Sequence, residues 1–358
     1  MKVKVNVEDL STVLNKVKFI AKVEKAFPVL SCGLFKTCGD NLQITIANLV
    51  NHAIVNIPAE VEEPGECLIE INKFVSIIST LSKQIIIQTK ESVVLIEKDN
   101  SKCKLETRPT ADYPADLYNI SNPIAEFEMS ALELADGLKR VNKFASDKGV
   151  LQGVNIRVSD KIIKFAATDG CALGCVLKAI ENDNICTDIV LPIDSVNNLL
   201  PIISSDEIIY IKIDNSRCLF KISNIEFSTR ILDSSFPKYE QLLPNSSAVS
   251  FKLDKTELKN VLERINVVEC KDDKLRSRVM FTVKGGLVTI EACQARSNDV
   301  LMIEDKTGDD IAFILSRVYL SNVLNSLVRD KVAFRLNTPT QAVMFDEMEN
   351  RYLIMPMK

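Results

Sequence analysis

A chain of 358 residues is too long for one ordinary core and suits two or three domains. Hydrophobic residues at 46% and charged residues at 26% exclude a long disordered block, and no apolar run reaches the ~20 residues that cross a bilayer. A net charge of -4 argues against nucleic-acid binding unless positive charge is gathered on one face.

The start of the chain, Met1-Lys2-Val3-Lys4-Val5, alternates like a strand and lacks a signal-peptide core, so a cytoplasmic location is expected. The ten cysteines are scattered. Neither Cys32/Cys38 nor Cys171/Cys175 has zinc-knuckle or CxxC spacing, and small buried thiols are expected rather than a metal site.

In chain order, the first amphipathic segment is 8–22, with Leu10, Leu14 and Val17 on one helical face. A strand follows at Leu42-Gln43-Ile44-Thr45-Ile46 after the turn Gly39-Asp40-Asn41, and a second helix at 72–82 carries Val75 and Ile78. The pattern then recurs. Segment 130–146 places Leu134, Leu138 and Val141 at an offset of 124, followed by the strand 162–166 and a helix at 194–204 with Leu199 and Ile202. Segment 254–268 places Leu258, Leu262 and Ile265 one offset further, followed by the strand 287–290 and a helix at 316–328 with Val323 and Leu327. The aromatic-Pro pairs Tyr113-Pro114 and Phe236-Pro237 mark the linkers. The expected fold is α+β, three copies of two helices on antiparallel sheet, with domains 1–120, 121–245 and 246–358.

Lys16, Arg140 and Arg264 share the same offset on the polar side of each first helix. Lys18, Lys22, Lys139, Lys143, Lys148 and Lys259 surround them, while acidic residues gather at 60–63 and 304–310. The helix dipole alone favours bases late in a helix, by ~0.3–1 kcal/mol each. Three equivalent bases point further, to a face that meets phosphates.

Three segments carry a resemblance. Ala167-Thr168-Asp169-Gly170-Cys171-Ala172-Leu173, Phe236-Pro237-Lys238-Tyr239-Glu240-Gln241-Leu242-Leu243-Pro244 and Tyr352-Leu353-Ile354-Met355-Pro356-Met357-Lys358 resemble, in order, the A-T-D-G-x-x-L strand end, the F-P-x-Y linker and the Y-x-x-M-P-M ending of the bacterial DNA sliding-clamp family, the beta subunit of the replicative polymerase. The resemblance implies three tandem clamp domains and a head-to-tail homodimeric ring around duplex DNA. It also implies a surface pocket for short peptides of the polymerase, the clamp loader and other clamp-binding proteins.

Carried over residue by residue, that pocket is Leu151, Thr168, Gly170, Cys171, Ala172, Leu173, Pro237, Gln241, Leu242, Val343, Leu353, Ile354, Met355, Pro356 and Met357, mostly apolar as a peptide groove should be. The DNA-facing set is Lys16, Lys22, Lys25, Lys73, Arg140, Lys143, Lys148 and Arg264. The ring interface is Lys102 and Lys104 on one sheet edge, against Val267, Val268, Asp299 and Glu304 on another. The chain departs from the family where Cys171-Ala172 replaces His-Arg and Gln241 stands near a usual base, and where Glu24, Ile193 and Asp194 stand at usual DNA-facing bases.

The chain has one histidine, His52, and no Gly-rich phosphate loop or paired-carboxylate motif, so no catalysis and no cofactor are expected. A divergent paralogue serving as a protein-only scaffold is the alternative, and the direction of Lys16, Arg140 and Arg264 discriminates the two.

Overall fold

The computed structural model describes residues 1–22, 26–111, 113–114, 120–146, 148–181, 185–203, 206–244, 246–268, 277–292 and 298–357. They form two compact units, Met1–Ala135 with Asp194–Asp233, and Asp136–Ile193 with Ser234–Lys358. Among the described residues there are six α-helices: α1 (Val7–Val17), α2 (Ile71–Ile78), α3 (Ala131–Val141), α4 (Ile193–Leu199), α5 (Lys255–Val268) and α6 (Arg317–Ser326).

Each odd-numbered helix grows out of a strand whose alternate side chains point inward. Val3 and Val5 are buried before α1, Phe127 and Met129 before α3, and Phe251 and Leu253 before α5. The periodic faces behave as their spacing predicts. Leu10, Leu14, Val17, Leu134, Leu138, Val141, Leu258, Leu262 and Ile265 are all buried, each contributing ~1.5–3 kcal/mol of transfer free energy.

The helix ends differ from expectation. The segments 8–22 and 130–146 stop being α-helical at Val17 and Val141, and each continues as one 3-10 turn, Lys18–Ile20 and Asn142–Phe144. Tightening the last turn carries Ile20 and Phe144 into the core, where both are fully covered. The second helices are likewise shorter than expected; Ile202 and Leu327 are buried although each follows its helix.

Gly137 sits inside α3, where alanine would ordinarily be the better helix former by about 1 kcal/mol. Its reason is contact: a Cβ there would lie 2.4 Å from the ring of Phe165, which is fully buried on the strand Ile162–Thr168. Overpacking of this kind costs about 1–3 kcal/mol. Gly137→Ala should therefore destabilise the second unit by up to about 2 kcal/mol net, measured by urea denaturation, and a stabilised variant would refute the contact argument.

Asp254 caps α5, its Oδ1 accepting the backbone N–H groups of Thr256 (2.9 Å) and Glu257 (3.0 Å). These bonds, that of Glu257 foremost, with help from Lys331, hold its carboxyl below the usual range. A depressed folded-state value means the stabilisation is complete above the unfolded-state pKa and is lost as pH falls through the folded one. Asp254→Ala should cost about 1 kcal/mol at neutral pH, and its difference from the native chain should vanish in acid, well below the ordinary aspartate value of about 3.9.

In the first unit, one sheet runs in the order Ser101–Glu106, Val93–Lys98, Gln84–Lys90, Lys2–Asn6, Asn51–Glu63, Ile225–Arg230, Arg217–Ile222, Ile208–Ile213 and Ala125–Ser130. The long strand Asn51–Glu63 joins its halves. Val5 pairs with Ala59 near one end, and Thr229 pairs with Asn51 at the other.

In the second unit a nine-stranded sheet runs Thr187–Pro192, Gly153–Ser159, Ile162–Thr168, Ala172–Ala179, Asn350–Ile354, Val343–Glu347, Lys331–Leu336, Val249–Asp254 and Glu304–Thr307. A four-stranded sheet, Asn298–Met302, Leu287–Ala292, Arg278–Lys284 and Ile311–Ser316, packs on it through Phe281 against Phe334, ring centroids 5.9 Å apart. Among the described residues every strand pair is antiparallel, as the hairpin turns predict. For the site the decisive pairing is Leu173 with Leu353 and Ala172 with Ile354, which sets the Thr168–Leu173 turn beside the last strand.

Candidate functional site

The turn after Thr168 is tied together by its own side chains. Thr168 Oγ1 donates to the Ala172 carbonyl (2.6 Å) and accepts from the Gly170 N–H (3.1 Å). Asp169 Oδ1 accepts the N–H groups of Cys171 and Ala172, both at 2.9 Å. Gly170 has φ +91°, a conformation that a side chain disfavours. From α6, the Tyr319 hydroxyl donates to the other Asp169 oxygen, and burial with that carboxylate pushes the phenol well above its ordinary value. Beyond the strand, the Met355 N–H donates to the Cys171 carbonyl (2.8 Å), which draws the tail along the turn.

The linker supplies the facing wall. Phe236 and Tyr239 are buried edge to face, centroids 6.0 Å apart, and Tyr239 lies 3.6 Å from the Cys175 sulfur. With Tyr239 anchored inward, the 3-10 turn Tyr239–Leu242 leaves Gln241 and Leu242 outward, Leu242 66% exposed. Arg157 fixes this turn to the sheet by bridging Glu240 (2.7 Å) and Asp188 (2.9 Å).

Between these segments, within the second unit, lies a cavity of about 520 Å³. Eleven of the fifteen expected residues line it: Leu151, Thr168, Gly170, Cys171, Ala172, Leu173, Pro237, Gln241, Leu242, Leu353 and Met355. Four do not. Val343 and Ile354 pair with each other and are fully buried behind the wall. Pro356 and Met357 lie past it, and the Met357 N–H donates to the Ile314 carbonyl (2.9 Å). Tyr239, Leu243, Pro244, Asn337, Thr340, Gln341 and Ala342 complete the lining. Leu243 and Pro244 belong to the linker motif, whereas nothing in the sequence marks 337–342.

The expected basic set divides. Lys22, Lys73, Lys143 and Lys148 are exposed and Lys16 is half-buried. Lys22 reaches Asp194 at 3.4 Å and Lys73 reaches Glu70 at 2.8 Å. Arg264 is exposed and paired with Asp299 at 2.5 Å. Arg140 is a correction. It does not present its charge to solvent: Nε donates to the Ser326 carbonyl (2.7 Å), and the guanidinium pairs with Glu347, which is 4% exposed. Glu347 also accepts the N–H groups of Val328 (2.6 Å) and Arg329 (2.7 Å), so the base at this offset neutralises a buried acid. Lys25 lies outside the described residues.

Four of the six expected interface residues stand at sheet edges. Lys102 and Lys104 are exposed on Ser101–Glu106, the outermost strand of its sheet. Asp299 is on Asn298–Met302, the edge of the four-stranded sheet, beside exposed Val300 and Met302. Glu304 begins the outermost strand of the nine-stranded sheet and pairs with Lys331 (2.7 Å), and Val267 is 83% exposed at the end of α5. The Val268 side chain lies outside the described set. His52 is buried on Asn51–Glu63, far in sequence from the pocket-lining segments. No helix among the described residues is long and apolar enough to cross a membrane.

Sequence profiles of the DNA polymerase III beta subunit match this chain, the N-terminal domain over residues 1–118 and the central domain over 141–238. Beta sliding clamps of Chlamydia muridarum (22% identical, 100% of this chain and 99% of that protein) and Pseudomonas aeruginosa (23%, 98% of each) are similar over their length. Among solved structures, a sliding clamp of Pseudomonas aeruginosa bound to griselimycin superposes with a TM-score of 0.93 at 20% identity, covering 100% of this chain and 99% of that one. The Bacillus subtilis sliding clamp gives 0.92 at 17% identity with the same coverage. With its strand-helix repeat and the two matching profiles, this chain belongs to the DNA polymerase III beta-subunit family and has the sliding-clamp fold.

Proposed function

We propose that this protein is a DNA sliding clamp. Residues 1–120, 121–245 and 246–358 are its three repeats, and two copies close head to tail around duplex DNA. The ring slides in the cytoplasm and tethers the replicative polymerase, with no catalytic step of its own. Polymerase, clamp loader and other partners dock short peptides in the cavity beside Leu173 and Leu353.

The observation that carries this reading is the recurrence of one strand-helix-turn unit. Moving α1 and its 3-10 turn, 7–17 and 18–20, by 124 residues gives the bounds of α3 and its turn, 131–141 and 142–144. A repeated unit of this kind suits a closed ring, which holds DNA by topology and needs only weak, salt-sensitive phosphate contact.

Burial of Arg140 and pairing of Arg264 favour a second reading, a protein-only scaffold, because these repeated bases are engaged within the chain. One experiment separates them: loading onto nicked circular DNA with a cognate clamp loader and ATP, then cutting the circle. A clamp stays on the circle and is lost on cutting. Failure to load, or retention after cutting, sinks the clamp reading.

A further inference from the structure

We propose that the cavity selects apolar segments whose polar side chains are uncharged, and that it rejects acidic ones; this rests on its being the partner-binding site. Among the described residues, none that lines it is a lysine, arginine, aspartate or glutamate. The two carboxylates on its flanking segments are already engaged. Asp169 is held by the Cys171 and Ala172 N–H groups and by Tyr319, and Glu240 is held by Arg157. Lys238, on the same linker, is exposed and outside the lining.

Two exposed amides from separate segments, Gln241 and Gln341, stand at the rim. A primary amide donates and accepts equally, so it satisfies a serine, a glutamine or a peptide group without supplying charge. A carboxylate entering the cavity leaves water and finds no cation, only amide N–H donors that offset part of its desolvation loss. Discrimination therefore comes from an unpaired charge in the wrong ligand as much as from contacts with the right one. Affinity for the right ligand should also be nearly indifferent to salt, because no ion pair is present to screen.

The test uses an array of fluorescein-labelled synthetic hexapeptides with three fixed leucine or phenylalanine positions and a central position varied as serine, glutamine, aspartate or lysine. Anisotropy against the full chain should show the serine and glutamine peptides binding at least about 10-fold tighter than the aspartate peptides. Their Kd should change less than about 2-fold between about 50 and 300 mM salt. Gln241→Arg should recover the aspartate peptides by about 10-fold and make them salt-dependent. Equal or tighter binding of aspartate peptides to the native chain overturns the selectivity while leaving the pocket reading in place. Absence of any binding, or binding unchanged by Leu242→Glu, overturns the pocket reading and the selectivity with it.

Discussion

Glu347→Ala will lower the stability of the unit Asp136–Ile193 with Ser234–Lys358 by about 3–5 kcal/mol, because it strands the Arg140 guanidinium in the interior. Arg140 is 8% exposed, and without Glu347 it keeps the Ser326 carbonyl and, at 3.8 Å, the half-exposed Asp136. Two backbone N–H groups, of Val328 and Arg329, lose their acceptor in the same substitution. The reverse change, Arg140→Ala, should cost less, since Glu347 retains both of those donors. The double change Arg140→Met with Glu347→Leu should recover most of the loss, as apolar replacement of a buried pair often does. Urea unfolding followed by circular dichroism ranks the three variants. A single-variant loss under about 1 kcal/mol for Glu347→Ala would mean that water reaches the pair. DNA retention by the folded double variant should match the native chain, because the Arg140 charge does not reach the surface.

Arg140 shows where sequence reading stops. A base on the polar side of an amphipathic helix, at the same offset as Lys16 and Arg264, has every local mark of a solvent-facing residue. Its partner is 207 positions away on a hairpin, and no helical or strand periodicity encodes that meeting. The apolar faces were legible because burial repeats every three or four residues, and the hairpin turns were legible because Gly39, Asp160 and Gly285 take positive φ. The helix ends were not. Lys18-Phe19-Ile20 is compatible with continued helix, and only the demand that Ile20 enter the core turns it into a 3-10 turn. The same holds at the site. Residues on the Thr168 turn, the linker and the last strand were named through the family resemblance of their motifs, and eleven of the fifteen expected residues line the cavity. Val343 and Ile354 were misplaced by one layer, since strand alternation fixes which side chains share a face but not which face the cavity opens on. The 337–342 wall carries no pattern at all.

Leu242→Glu should abolish partner docking without disturbing the fold. The side chain is 66% exposed, so the substitution should move stability by no more than about 0.5 kcal/mol. Covered by a bound peptide, the leucine contributes about 1.5–3 kcal/mol of burial, and a glutamate in its place adds an unsatisfied carboxylate worth about 1–3 kcal/mol more. A combined loss of about 2.5–6 kcal/mol weakens binding by about 60-fold to about 20,000-fold. Titration of the native chain with polymerase and clamp-loader peptides gives the reference, and Ile208→Glu serves as control, because Ile208 is 61% exposed and outside the cavity lining. Matched affinities for Leu242→Glu and Ile208→Glu would move the docking site elsewhere. A selective loss would leave loading by the clamp loader impaired too, since loader and polymerase then compete for one cavity, and adding excess peptide to the native chain should reproduce that defect without any mutation.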